Sequence, residues 1–422
     1  MQSNDHRGSR RVPPPAKTMR VDSSGRLAGG APDYPLLVIV MALTCIGVLM
    51  VFSASGMFSL NTYHNGFYFL IREMIWVVIS VGAMFFTAFF DYRYYRKTAW
   101  TIYAIAVVMM LLVLVPGIGI KVNGARRWLG YGFMRLHVGE VAKLATIIVF
   151  AVVLDRVGDK IKDPKVAFKL LGVLGVTALL ILKEPDFGMT AVVGVVCIAM
   201  MFIAGARISH LSLVGVMGAC GAVALVLLEP YRVRRLMGFL HLHDRASNEG
   251  YQTMQSLIAV GSGGFFGKGL GESTQKLMYL PEQHTDFIFS IVGEELGLIG
   301  IALIVVLFVY LTYRGIQIAQ RCNDPLAVYL AFGIIFMNSI QAFMNMGVAL
   351  GILPVTGLTL PFISYGGSSL MFTYMGFGIV LNISMNNMAR GKKKDEEFNT
   401  GGWGHRGPFV PGNRPRPTLK KS

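Results

Sequence analysis

About ten long apolar stretches with short polar loops between them run through the chain. Each approaches the ~20 residues that a helix needs to cross the hydrocarbon core of a bilayer. They lie near Pro35–Ser55, Tyr68–Phe90, Thr98–Val115, Gly139–Leu154, Ala167–Leu182, Phe187–Ala204, His210–Leu228, Asp286–Tyr313, Leu326–Ala349 and Ser368–Met385. Lipid offers no partner to a backbone N–H or C=O, so such stretches must be helices. The expected fold class is therefore all-α, a polytopic membrane protein. Composition agrees: 54% of the 422 residues are hydrophobic and 15% are charged, unlike a water-soluble domain.

An even number of spans puts both termini on one side. With that side cytoplasmic, roughly 26 of the 39 Lys and Arg fall inside and about 10 outside, the bias of the positive-inside rule. The same bias accounts for the net charge of +16. It argues against nucleic acid as a partner, because the basic residues fall between spans and not along one soluble face. Residues 1–34 read as a disordered, basic cytoplasmic tail without the short apolar core of a cleaved signal peptide, which leaves the first span as an uncleaved anchor. Residues 35–387 read as the membrane domain, with a large outer loop at 230–285, and residues 388–422 as a disordered cytoplasmic tail. Cys45, Cys197, Cys220 and Cys322 suggest neither a disulfide framework nor a zinc site.

The basic residues that defy the bias cluster in two outer segments, Lys121 to Arg135 and Arg232 to Lys276, which points to an anionic ligand on the outer side. Within the second, the glycine-rich run from Ser256 to Gly267 is too short to span and reads as re-entrant or interfacial. It is not a phosphate-binding loop, since no Ser or Thr follows Lys268. His241, His243 and His284 make too weak a set for a zinc site.

Ionisable groups in or beside the spans are expensive and mark function or tight pairing. They are Arg72, Glu73, Glu140, Lys143, Lys183, Glu184, Asp186, Asp286, Glu294 and Glu295. Glu140 and Lys143 are spaced to pair on one helix face. Asp286 is expected to begin the eighth span, either as a helix cap or as a functional carboxylate. Ser290, Gly293, Glu294 and Gly297 would form a stripe beneath it, with Glu294 about 12 Å deeper. Asn338, Gln341 and Asn345 share a face of the ninth span, as interhelical glue or as a substrate lining. Pro354 and Pro361 rule out a continuous helix through the Gly- and Ser-rich segment before the last span, and irregular backbone at that depth must be buried in protein or line a cavity.

Four blocks in order carry a family resemblance. They are Gly124-Ala-Arg-Arg-Trp-Leu-Gly130 with Glu140 and Lys143; Glu184-Pro-Asp-Phe-Gly188; the run from Tyr251 through Gln255, Ser256, Gln275, Lys276 and Asp286 to Gly297; and Pro354 to Ser369. Together they resemble the SEDS family (shape, elongation, division and sporulation) over roughly Pro35 to Asn387. Thr359 in Leu358-Thr359-Leu360-Pro361 is similar to the division member, where the elongation member usually has Pro. One departure is His137-Val138-Gly139-Glu140, where the family commonly has Gln-Pro-(Ser/Ala)-Glu.

The resemblance implies a peptidoglycan glycosyltransferase that polymerises lipid II in septal wall synthesis, at the periplasmic face of the bacterial inner membrane. It implies a class B penicillin-binding protein and other divisome proteins as partners. Asp286 matches the catalytic carboxylate, either as general base or as ligand of a divalent cation such as Mg2+ or Mn2+. Arg126, Arg127, Lys268 and Lys276 are candidates for pyrophosphate contacts, Arg72 reaches toward the same site, and Trp128, Gln255, Ser256, Ser364 and Ser368 are further substrate candidates. Glu140, Lys143, Asp186, Glu294 and Glu295 would shape the cavity. Three rivals stay open: a lipid II flippase, an elongation-type polymerase, and a scaffold that acts through its tails.

Overall fold

The computed structural model describes residues 30–122, 124–132, 134–228 and 248–401, with 233, 237 and 239 between them. Most of both expected tails, with Arg232, His241 and His243, lies outside the described residues. The helices are α1 (Tyr34–Tyr63), α2 (Tyr68–Phe89), α3 (Tyr95–Leu114), α4 (Val138–Val157), α5 (Pro164–Lys183), α6 (Phe187–Ile203), α7 (Ile208–Leu228), α8 (Asn248–Ser262), α9 (Ile288–Gln320), α10 (Pro325–Ala349) and α11 (Ser368–Gly401). Seven are long and apolar enough to cross a membrane, α6 and part of α7 are shorter apolar helices, and α4 carries the Glu140–Lys143 pair. These make about ten spans, with α8 as the extra helix of the outer loop. The last helix continues past Asn387 to Gly401, so the boundary expected there is not a break in secondary structure.

Helix starts follow local chemistry. Asp33, Asp163 and Asp324 each precede a proline or its neighbour and accept from a first-turn N–H with the side chain. At one end of the bundle Arg96 ties α3 to α4 and α10 through Asp155 (2.8 Å) and Asp324 (2.6 Å). Arg314 pairs with Asp33 (3.0 Å), and Asp33 N donates to Ser384 Oγ, so the residues just before α1 are fixed on the bundle. α2 and α11 lie against each other at Gly378, where a Cβ would collide with Thr87 Oγ1 and the Met84 carbonyl.

Two features depart from the expected organisation. An antiparallel three-stranded sheet, β1 (Ile120–Val122), β2 (Ala125–Tyr131) and β3 (Met134–His137), precedes α4 and hands the chain directly to it. The other is in α9. The helix starts at Ile288 rather than at Asp286, and it is interrupted at Gly297 (φ 66°, ψ −160°). The stripe expected below Asp286 is therefore not continuous, and the helical rise does not apply from Asp286.

The interruption at Gly297 can be accounted for atom by atom. In an unbroken helix the Leu298 and Ile299 N–H groups would donate to the Glu294 and Glu295 carbonyls. Here Lys268 N and Gly269 N take those carbonyls (3.0 Å each), while Leu298 N and Ile299 N donate to Gly264 O (2.9 Å) and Phe265 O (3.3 Å). The loop after α8 is thus inserted into the helix, and the four groups freed by the break are satisfied. Gly263, Gly267 and Gly297 have no room for a Cβ at this crossing, because the backbone of the facing segment occupies the place.

Candidate functional site

Asp286 lies in the turn ahead of α9, half-buried, where the outer loop meets the 354–369 segment. Three successive carbonyls of that turn are each taken by a different donor. Tyr365 N donates to His284 O (3.0 Å), Ser364 Oγ to Thr285 O (2.5 Å), and Asn345 Nδ2 to Asp286 O (2.8 Å). The Asn345 amide also donates to Leu358 O (2.6 Å), and Ser364 Oγ accepts from Leu360 N (2.8 Å). Gly357, at φ +77°, passes close to the carboxylate: a Cβ there would lie 3.8 Å from Asp286 Oδ2. On the other side Gln283 donates to the Ala54 and Lys276 carbonyls (2.9 and 3.0 Å). The carboxylate is therefore carried by a turn docked onto α1, α10 and the Pro354–Ser369 segment, not by a helix.

Arg72 approaches the same turn from α2. Its guanidinium lies over the Tyr68 ring, 4.2 Å from the centroid, and hydrogen-bonds Tyr365, whose own N–H holds His284 O. Burial beside Glu73 pushes the Tyr365 phenol up to about 12. Phe69, His284 and Tyr365 form an aromatic cluster there, and burial lowers the His284 imidazole below its ordinary value.

A second polar cluster occupies the N-terminal end of α4. Lys143 Nζ lies 2.7 Å from Glu140 Oε2, as the spacing predicts, and 2.6 Å from Gln341 Oε1. Gln341 donates to Thr359 O (2.9 Å), Ser369 Oγ donates to Glu140 (2.9 Å), and Ser368 Oγ accepts from His137 N (2.9 Å). Of the three amides on α10, Asn338 bonds its own helix through Ile334 O. Gln341 and Asn345, one turn apart, hold the adjacent carbonyls of Thr359 and Leu358.

The first sequence block faces the loop between α5 and α6. Arg127 donates to Glu184 O (2.8 Å) and Pro185 O (2.6 Å) and lies 3.7 Å from Asp186. Asp186 caps α6 through Met189 N. Trp128 is registered opposite His137 and meets its ring edge-on. Arg126 is registered opposite Lys121, two cations across neighbouring strands, a pairing that is unfavourable by itself. The departure at 137–140 also has a geometric reason. A Cβ at Gly139 would run into Met189 Sδ and lie 3.1 Å from His137 Cε1, so glycine at 139 makes room for the imidazole at 137. Burial lowers the His137 basicity, against the pull of Asp186 and Glu140.

Glu184 is fully buried, and neither carboxylate oxygen has a hydrogen-bond partner among the described residues. Burial and the nearby Asp186 push it from its ordinary 4.5 up to about 8, against the opposing effect of Arg127. It is therefore neutral in the folded protein below about pH 8 but ionises from about 4.5 when unfolded. The folded state loses stability as pH rises from 4.5 to 8, by a few kcal/mol at most, and the loss is complete above 8. Thermal melts of detergent-solubilised protein across that window should show this slope, and Glu184→Gln should flatten it. An unchanged slope in the variant would assign it elsewhere.

Lys268 and Lys276 are engaged within the outer loop. Lys268 Nζ pairs with Glu294 (2.6 Å) and the nearly buried Lys276 with Glu295 (3.0 Å), and both glutamates are fully buried. Ser53 donates to Glu295 (2.7 Å). Ser256 is bonded to Ser290 Oγ and Ala349 O (2.6 Å each), which locks α8 to α9 and α10, and Gln255 beside it is half-buried. The serines singled out from sequence thus hold the framework, and Asn345, read there as one polar residue among three, reaches the Asp286 backbone. Among the described residues no three His, Cys, Asp or Glu side chains group to hold a metal ion.

Known proteins share both sequence and fold with this chain. A family model described as "Cell cycle protein", named for FtsW, RodA and SpoVE, matches residues 34–389. A "Probable peptidoglycan glycosyltransferase FtsW" of Geobacter metallireducens is 42% identical, with the match covering 83% of this chain and 94% of that protein. "Stage V sporulation protein E" of Bacillus subtilis is 43% identical over 84% of this chain and 97% of its own. Among solved structures, one described as "Structural coordination of polymerization and crosslinking by a peptidoglycan synthase complex" superposes with a TM-score of 0.70 at 28% identity, covering 85% of this chain and 98% of that one. The Rod shape determining protein RodA of Thermus thermophilus gives 0.63 at 28% identity, over 84% of this chain and 97% of that one. With the family model spanning the whole membrane domain, the chain belongs to the SEDS family, the group that includes FtsW, RodA and SpoVE.

Proposed function

We propose that this protein is a peptidoglycan glycosyltransferase that polymerises lipid II on the outer face of the bacterial inner membrane, with Asp286 as general base. The observation that carries the reading is a carboxylate on a turn anchored at three successive carbonyls, with glycine 357 leaving space beside it. The names of similar proteins support the reaction class. In the step, a sugar 4-hydroxyl attacks the anomeric carbon of a second lipid II. The new C–O bond forms as the bond to the pyrophosphate breaks, with inversion, and the hydroxyl proton passes to Asp286. The leaving lipid pyrophosphate needs cations. The candidates are Arg126 with Lys121 on the sheet, Arg72 beside Tyr365, and Lys268, which remains partly exposed despite its pairing.

The synthase-complex structure supports a crosslinking partner, a class B penicillin-binding protein. Leu358-Thr359-Leu360-Pro361 and the FtsW relative support a septal role. The charge bias supports cytoplasmic termini. A flippase would need polar groups lining a passage, whereas Glu140, Lys143 and Gln341 satisfy one another. A gel assay of glycan made from lipid II, by the purified protein with and without such a partner, tests the reading. Polymer is expected. Its absence from a folded complex, with lipid movement across vesicles instead, would move the assignment to transport.

A further inference from the structure

We propose that Asn345 is a positioning residue for Asp286, fixing the peptide of that residue so that the carboxylate meets the acceptor hydroxyl. The proposal rests on Asp286 being the base. An amide nitrogen has two protons, and Asn345 commits both, to the carbonyls of Asp286 (2.8 Å) and Leu358 (2.6 Å). Turning the amide over would set its oxygen against two carbonyl oxygens, so the orientation follows from the network. The residue is 1% exposed, and its Oδ1 makes no hydrogen bond among the described residues. A buried acceptor left in that state is destabilising, a penalty that an apolar residue of the same size would avoid if packing were its only task.

The neighbours narrow the role. Gln341, one turn away, holds Thr359 O but is tied to Lys143, so it joins the 358–359 backbone to α4. Asn345 joins the same backbone to the turn that carries Asp286. No helix fixes that turn, because α9 begins after it. Besides the turn's own bonds to Glu282 O, donors from outside hold carbonyls 284, 285 and 286, and of these Asn345 is the one that donates to the carbonyl of Asp286 itself. Gly357 lies on the same docked segment, where its φ of +77° favours glycine, and it passes beside the carboxylate. One segment thus is tied to the backbone of the acid through Asn345 and passes beside its carboxylate.

The test is a kcat and KM comparison for lipid II polymerisation by the full chain with a class B penicillin-binding protein, using Asn345→Leu, Asn345→Gln and Ser364→Ala beside Asp286→Asn. Misplacing a reacting group by about 1 Å lowers turnover by up to about 100-fold without loosening substrate. Asn345→Leu should lower kcat by about 10- to 100-fold with KM within about 2-fold, and Asn345→Gln should recover part of the loss. Ser364→Ala should lower kcat by a smaller factor with the same KM, and it decides the matter if Asn345→Leu does not fold. Wild-type kcat in the folded variants, or a loss confined to KM, would overturn the proposal while leaving an inactive Asp286→Asn as support for the base. Full activity in Asp286→Asn would overturn both.

Discussion

Replacing Asp286 with Asn should abolish glycan synthesis while leaving the protein folded and able to bind its partner. The amide has the shape of the carboxylate, and the bond from Asn345 to the backbone oxygen of this residue is unchanged by the substitution. The negative charge and the proton acceptor are lost. A positioned general base contributes about 10²- to 10⁴-fold to rate, about 3–5 kcal/mol of barrier at 1.36 kcal/mol per tenfold. Polymer from lipid II should therefore fall by at least about 100-fold on a gel, with an unshifted melting transition and normal capture by a class B penicillin-binding protein. Asp286→Glu should be intermediate, since the extra methylene moves the oxygen from the place set by the docked turn. Turnover near wild type in the Asn variant would remove Asp286 from the chemistry and leave it a turn residue.

The spans were legible because lipid imposes a length and a composition that few other environments share. The Asp-Pro starts of α5 and α10 likewise mark themselves. Even α4, which carries a buried ion pair, shows in the spacing of Glu140 and Lys143. The sheet at 120–137 was not legible as a sheet. Its strands are short and bear charges, and the turn signals at Gly124 and Gly130 fall inside a motif. The break at Gly297 was hidden for another reason. A glycine within an apolar helical run signals little by itself, and the groups that replace the missing helical bonds come from residues 264–269, outside any local window. The family motif singles out Asp286, but the sequence alone sets it at the start of a helix, whereas the helix begins at Ile288. Asn345 could be seen as polar on a buried face. Its partner is a backbone oxygen 59 residues earlier, and no side-chain pattern discloses such a contact.

The insertion of the outer loop into α9 makes Glu294 the residue whose loss should most damage the fold on that side. Its side chain is fully buried and accepts from Lys268 Nζ (2.6 Å), Ser273 Oγ (2.5 Å), Thr274 N (3.0 Å) and Gln275 N (3.2 Å), while its own carbonyl accepts from Lys268 N. Glu294→Ala strands four donors, one of them a cation, and removing one partner of a buried pair costs about 3–5 kcal/mol. Lys268→Met is the informative contrast. The carboxylate keeps three donors, and the lysine side chain is 34% exposed, so a loss of about 1–2 kcal/mol is expected, near that of a single hydrogen bond to a charged group. Thermal melts should rank wild type above Lys268→Met above Glu294→Ala, and limited proteolysis should open residues 263–285 first in the alanine variant. Equal melts for the two variants would mean that the other donors contribute little to holding the loop. Because the same loop leads into the turn bearing Asp286, Glu294→Ala should also lose polymerisation, but with a lowered melting transition. That pairing separates it from Asp286→Asn, in which activity disappears while the fold stays intact, and assigns Glu294 to the framework rather than to the reaction.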